Sequence, residues 1–201
     1  MLTPETDEDE FEPACGGWAT CDFEKANHEA AHALVAHVLG LKVWEVRIDR
    51  PLKRTRRGPD PLGFCRYEKT TGEFRWKQML VALAPWIVEG KAPERPPSLD
   101  DAGLGDEMSA AVVAFELEIS ELLYQVYLAY LEGLLKQPTA RKKGQALSRA
   151  LLDHGALNGD GVRRIFEEVE AQQGKGKAEG FDLDEDQRPR VVTALPHAGG
   201  I

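Results

Sequence analysis

Two histidines four residues apart, with a glutamate directly after the first, stand at His28-Glu29-Ala30-Ala31-His32. On a helix this spacing projects both imidazoles from one face about one turn apart, so both can reach a single Zn2+ at roughly 2.0–2.1 Å. Glu29 lies about 100° further round the helix from His28, where it approaches an open coordination position without joining the metal. In an H-E-x-x-H arrangement such a glutamate takes a proton from a metal-held water and later hands it to the leaving amine. Zinc lowers the pKa of that water towards ~7 and polarises the carbonyl under attack. The expected chemistry is peptide-bond hydrolysis, with His28 and His32 as metal ligands and Glu29 as general base and acid.

The residues after the motif strengthen this expectation. From Ala30 to Leu41 there is no charged side chain and no hydroxyl; only His32 and His37 interrupt Ala, Leu, Val and Gly. Such a helix is expected to be buried on most of its circumference. Two imidazoles and a carboxylate buried without a partner are costly, and a metal removes that cost. The metal-free alternative is a buried helix with hydrogen-bonded histidines and Glu29 favoured by the helix dipole. His37 lies about 140° round the helix from His32 and is not expected to join the same ion. The longer H-E-x-x-H-x-x-G-x-x-H pattern is broken by Val35 and Val38.

A catalytic zinc takes three protein ligands and keeps one position open. Downstream, Asp49, Asp100, Asp101, Asp106, Glu107 and His154 are all available. Asp49 also reads as a turn residue, and Asp100, Asp101 and Asp106 as helix caps.

The scaffold around these groups can be read from residue pattern. Asp22 or Thr20 can cap a helix from about Phe23 to Leu39 that stops at Gly40. Lys42–Asp49 reads as a strand in which Val43, and then Trp44, Val46 and Ile48, alternate with charged residues. Arg50–Pro61 is a basic loop, and its run Lys53-Arg54-Thr55-Arg56-Arg57 reads as a solvated connection. Gly63–Thr70 reads as a second strand. Glu73–Gly90 has helical character, offering Phe74, Met79, Leu80, Leu83 and Ile87 to one face, with Pro85 expected to kink or break it. After a loop over Lys91–Gly105, a single long helix is expected from Asp106 to Leu135. Its apolar stripe is Met108, Val112, Phe115, Ile119, Leu122, Leu123 and Val126. Pro138 ends it, and two shorter helices come after it at Thr139–His154 and Gly159–Gln172.

The expected fold class is mainly α (α+β): one domain over 22–172, with a small β-sheet next to the metal-binding helix. An acidic arm (1–21) and a Gly-, Lys- and Glu-rich tail (173–201) are expected to be disordered. A chain of 201 residues, 42% hydrophobic and 29% charged, suits one globular domain. No apolar run approaches the ~20 residues that cross a bilayer, and the acidic N-terminus lacks a signal-peptide pattern, so a cytoplasmic location without a membrane span is expected. Cys15, Cys21 and Cys65 are an odd count without C-x-x-C spacing, which suits neither a disulfide scaffold nor a structural zinc site. The formal charge of -9 argues against nucleic acid as the main partner.

The segment His28-Glu29-Ala30-Ala31-His32-Ala33-Leu34-Val35-Ala36 resembles the H-E-A-G-H-A-[LV]-V-A signature of the M41 peptidases, the protease domain of FtsH-type membrane proteases. The order of the later elements is also similar: a strand, a Gly-aromatic strand at Gly63-Phe64, and a helix ending near Glu89-Gly90. The stretch Gly103-Leu104-Gly105-Asp106-Glu107-Met108-Ser109-Ala110-Ala111 is similar to the family's G-A-x-x-D-[IL]-x-x-A-T, and Ala146–Val169 to its closing pair of helices. The resemblance covers about residues 22–172 and implies Asp106 as the third zinc ligand, one Zn2+ per chain. Ala31 replaces the family's usual Gly, and the region from Asp106 to Gln137 is compressed. There is no G-x-x-x-x-G-K-[ST] phosphate loop, so the expectation is a stand-alone zinc metalloendopeptidase acting on flexible peptides or unfolded segments. A separate ATPase or self-assembly into homo-oligomers stands as a further partnership. An extended substrate is expected to add to the strand Gly63, Phe64, Cys65, Arg66 and Tyr67 through main-chain hydrogen bonds. The alternative function is a catalytically silent helical binding or regulatory module, zinc-stabilised or metal-free.

Overall fold

Alanine and leucine are strong helix formers, and the run after the motif leaves its helix no polar side to show to water. In the computed structural model, which describes residues 22–48, 63–100 and 105–174, this run forms the middle of α1 (Asp22–Val38). Ala30, Ala31, Ala33, Leu34, Val35 and Ala36 are each at most 3% exposed. The helix ends as the sequence suggests. Gly40 takes φ 73°, its N–H bonds the His37 carbonyl, and the Leu41 N–H bonds that of Ala36, the paired closure of a Schellman motif.

The chain then enters β1 (Val43–Ile48), which pairs antiparallel with β2 (Gly63–Tyr67) on one side and β3 (Ala156–Asn158) on the other. Among the described residues the sheet order is β2-β1-β3, which puts β2 at an edge. A register shift between Val43 and Glu45 reverses the alternation there, as one extra residue in a strand does. Trp44, expected to face inward with Val46 and Ile48, is therefore 41% exposed, while Val43 turns in. Strand β3 has no counterpart among the expected elements. Three residues are too few to show a period.

A 3-10 turn (Gly72–Arg75) leads into α2 (Trp76–Val88). Every residue from Met79 to Ala84 is at most 2% exposed, so α2 is enclosed on all sides rather than one. Phe74, expected on its apolar face, lies in the 3-10 turn and is 53% exposed. The helix is not broken at Pro85: it runs on to Val88, and the Pro85 carbonyl accepts the Glu89 N–H at 2.8 Å.

The long helix expected after Asp106 is two helices, α3 (Asp106–Glu116) and α4 (Glu121–Lys136). Glu118, at φ 48°, closes α3 with the same pair of bonds that ends α1: Glu118 N–H to Phe115 and Ile119 N–H to Ala114. Ser120 then caps α4, its Oγ accepting the Leu123 N–H. This break resets the helical phase, and the expected stripe holds only in part, with Ile119 buried and Leu123 packed against the core. Phe115, Leu122 and Val126 are exposed, whereas Ala110, Ala111, Val113 and Ala114 of α3 and Tyr124, Tyr127, Leu128, Leu131, Leu134 and Leu135 of α4 are buried.

Pro138 opens α5 (Pro138–His154) at its first position, where a missing N–H costs nothing. In α6 (Gly159–Gly174) Val162, Phe166 and Val169 form the buried stripe. The whole is mainly helical, with six α-helices and one small antiparallel sheet among the described residues, and α1 packs against α2, α5, β1 and β2. No described helix is long and apolar enough to cross a membrane. The acidic arm, the basic run between β1 and β2, Cys15, Cys21, Asp49, Asp101 and the tail beyond residue 174 lie outside the described residues.

Candidate metal centre

Because α1 carries His28 and His32 one turn apart, their rings meet edge to face with centroids 5.0 Å apart. Asp106 reaches them from the first residue of α3, after Gly105 at φ 83° turns the chain. A carboxylate is favoured at that helix start by the dipole. Its Oδ2 lies 3.1 Å from His28 Nε2 and 3.1 Å from His32 Nε2. One ligand atom from each of the three residues falls within 4.8 Å of the other two. Two imidazole nitrogens and a carboxylate oxygen are a zinc donor set. The fit is geometric as well as chemical, because both ring nitrogens and the carboxylate converge on one point.

The far side of each ring is also held. His32 Nδ1 donates to the Val81 carbonyl of α2 at 2.7 Å. A carbonyl only accepts, so Nδ1 carries a hydrogen and Nε2, which faces Asp106, is the nitrogen that would take a metal. His28 Nδ1 lies 2.9 Å from Glu89 Oε1 just past α2, and Lys91 Nζ donates to the other oxygen of Glu89 at 2.9 Å. Neither outer partner is legible in the sequence: Glu89 is 61 residues from His28, and Val81 is 49 from His32. The sole local signal for Glu89 is a carboxylate at the end of a helix, where the dipole disfavours it.

Charge is set by these contacts. Burial alone would lower the pKa of His28, but hydrogen bonds to Asp106 and Glu89, with the charges of Glu29 and Asp106, raise it to about 9 in the metal-free protein. For Asp106 burial pushes upward, yet the hydrogen bonds from His28 and His32 hold the carboxyl well below the usual carboxylate range. The protein thus keeps Asp106 ionised.

Glu29 is 4% exposed and packs beside Gly63, the first residue of β2. A methyl group on Gly63 would come within 3.0 Å of Glu29 Oε1 and 2.5 Å of the Arg47 carbonyl, so only glycine lets the edge strand lie this close to the glutamate. Along β2, Phe64 and Arg66 face solvent while Cys65 and Tyr67 turn inward. Arg66 lies over the Trp44 ring and Arg47 over the Phe64 ring. Burial, then the charges of Glu29 and Asp106, push the Cys65 thiol up, so it stays protonated and is a poor metal ligand.

Among the described residues the group that could hold a metal is His28, His32 and Asp106; Asp100, Glu107 and His154 are not part of it. His37 packs its ring 4.8 Å from that of Phe166, and burial and the Lys143 charge lower its pKa. No protein-family model matches the chain, and no curated protein matches it in sequence.

Proposed function

We propose that this chain is a zinc-dependent endopeptidase, of the kind its motif resembles in the M41 peptidases. The observation that carries the reading is the convergence of His28 Nε2, His32 Nε2 and Asp106 Oδ2, each imidazole anchored from behind by Glu89 or Val81. His28, His32 and Asp106 would hold the ion. Zinc, when bound there, supplies Lewis acidity towards a water and towards the scissile carbonyl.

Glu29 does the proton work. Its carboxylate accepts a proton from the attacking water as the new C–O bond forms, then delivers it to the amide nitrogen as the C–N bond breaks. Its near-complete burial supports this role, since a sheltered carboxylate acts in a low local dielectric. The β2 edge, which no other described strand covers, would pair its main chain with an extended peptide, with Gly63 beside Glu29 leaving room for the strand to be tracked closely. Flexible peptides or unfolded segments suit such an edge, since a folded substrate has no free strand to add. A separate ATPase or self-assembly would widen the range of substrates, and a cytoplasmic setting is part of this reading.

The test pairs zinc content with turnover. Wild type is expected to carry about one zinc per chain and to cleave casein or a peptide library. Glu29→Gln is expected to keep zinc and lose cleavage; unchanged cleavage would remove Glu29 from its role. Zinc without cleavage in wild type would leave a metal-stabilised binding module. A folded protein without zinc would leave a helical interaction domain.

A further inference from the structure

The Val81 carbonyl that holds His32 sits inside α2, where the N–H four residues later would ordinarily bond it. That position is Pro85, which has no N–H. Val81 is fully buried, so water cannot answer its carbonyl, and an unanswered buried carbonyl is costly. His32 Nδ1 answers it at 2.7 Å. The proline ring also crowds the carbonyl of the residue four positions earlier, which favours turning it off the helix axis towards a side-chain donor.

We infer that Pro85 is a positioning residue for the metal centre: by withholding the helical donor it reserves the Val81 carbonyl for His32. The imidazole is thereby held with its hydrogen on Nδ1 and its Nε2 towards His28 and Asp106. The consequence for zinc rests on the proposed reading of the site as a zinc centre; the consequence for His32 concerns the metal-free protein alone. Proline is the least favourable residue in a helix interior, and α2 keeps it directly after a fully enclosed run, Met79–Ala84. Helix propensity gives no reason for that choice, since alanine is the better helix former. The hydrogen bond to His32 does give one.

Pro85→Ala separates this role from a merely structural one, because the two effects run in opposite directions. Alanine restores an N–H that competes for the Val81 carbonyl, so the metal-free protein is expected to melt at a higher temperature than wild type. Zinc affinity, measured by competition with a chromophoric chelator, is expected to fall about tenfold, the lower end for loss of an outer-shell partner. Nitrogen-15 NMR of the imidazole in the metal-free protein is expected to show the His32 Nδ1 hydrogen exchanging faster with solvent. A Pro85→Ala protein that melts higher with His32 exchange and zinc affinity unchanged overturns the inference. So does one that melts lower and weakens in zinc binding together, which is the signature of lost packing. If neither protein takes up zinc, the hydrolase reading fails by itself, and the His32 exchange rates still decide the role of Pro85.

Discussion

Replacing Asp106 by asparagine keeps the shape of the side chain and removes its charge. In the metal-free protein Oδ2 lies 3.1 Å from two imidazole nitrogens, and hydrogen bonds to charged groups contribute about 1.5–3 kcal/mol when sheltered. The Asp106 side chain is 36% exposed, so solvent screening reduces this to about 1 kcal/mol, or roughly 2–4 °C in melting temperature. The effect on zinc is larger. Structural zinc sites bind with about 10–16 kcal/mol over four ligands, hence roughly 3 kcal/mol each, and ~1.4 kcal/mol is a factor of ten. Asp106→Asn is therefore expected to weaken zinc about a hundredfold while barely moving the metal-free melt. Chelator competition and melting with and without chelator measure the two separately. Wild-type affinity in Asp106→Asn, or an equal loss in Asp101→Asn, would refute the assignment of the third ligand.

The same site leads to three further outcomes. With a folded pKa of about 9 above the ordinary value of ~6.5, His28 stabilises the metal-free protein fully below pH 6.5, and that contribution is lost as pH rises through 9. Melting temperature of the chelated protein should fall across this window while zinc affinity rises with pH; flat curves would contradict both. Gly63→Ala pushes a methyl group against the Arg47 carbonyl and Glu29, and is expected to cost about 1–3 kcal/mol and to lower turnover at unchanged zinc content. Normal turnover would detach the strand from Glu29. A peptide lying along β2 sets alternate side chains beside Arg66. Opposite charges across strands contribute up to ~1 kcal/mol, so glutamate should be preferred over lysine there about fivefold, and Arg66→Glu should reverse the ratio. The same ratio in both proteins would show that the substrate does not lie on this edge.

The sequence and the fold agree where one physical signal dominates. The Ala-rich run after His28 has a single solution, a buried helix, and Gly40 marks its end; both are read without tertiary information. The α3–α4 break is illegible because Glu118 takes the left-handed turn that glycine or asparagine would have announced, so two helices with different phases look like one. Trp44 is misplaced by alternation because a bulge shifts the pattern by one residue without leaving a compositional mark. At the site, the His-Glu-x-x-His spacing is local and therefore visible. Asp106 is 74 residues beyond His32 and is singled out only by resemblance, since Asp100, Asp101 and Asp106 look alike to any argument from capping. Glu89 and the Val81 carbonyl depend on how α2 lies against α1, which no spacing encodes.

The pairing of β1 on both sides also bears on when the protein becomes competent. Its neighbour β3 ends at Asn158, and the Ser148 hydroxyl of α5 meets the Ala26 carbonyl of α1 across 122 positions of chain. A helix apolar on every side gains little from forming before its cover arrives, and loops this long close late and slowly. On a ribosome the His28–His32 helix is thus left without its full enclosure until α5 has emerged, and its neighbouring strand β1 is unpaired on one side until β3 follows. By then Asp106 is also available, so ligands and shelter arrive in the same late stage of synthesis. A nascent chain cut short before Pro138 would hold all three donors and lack the α5 cover over Ala26 and Leu34 of α1.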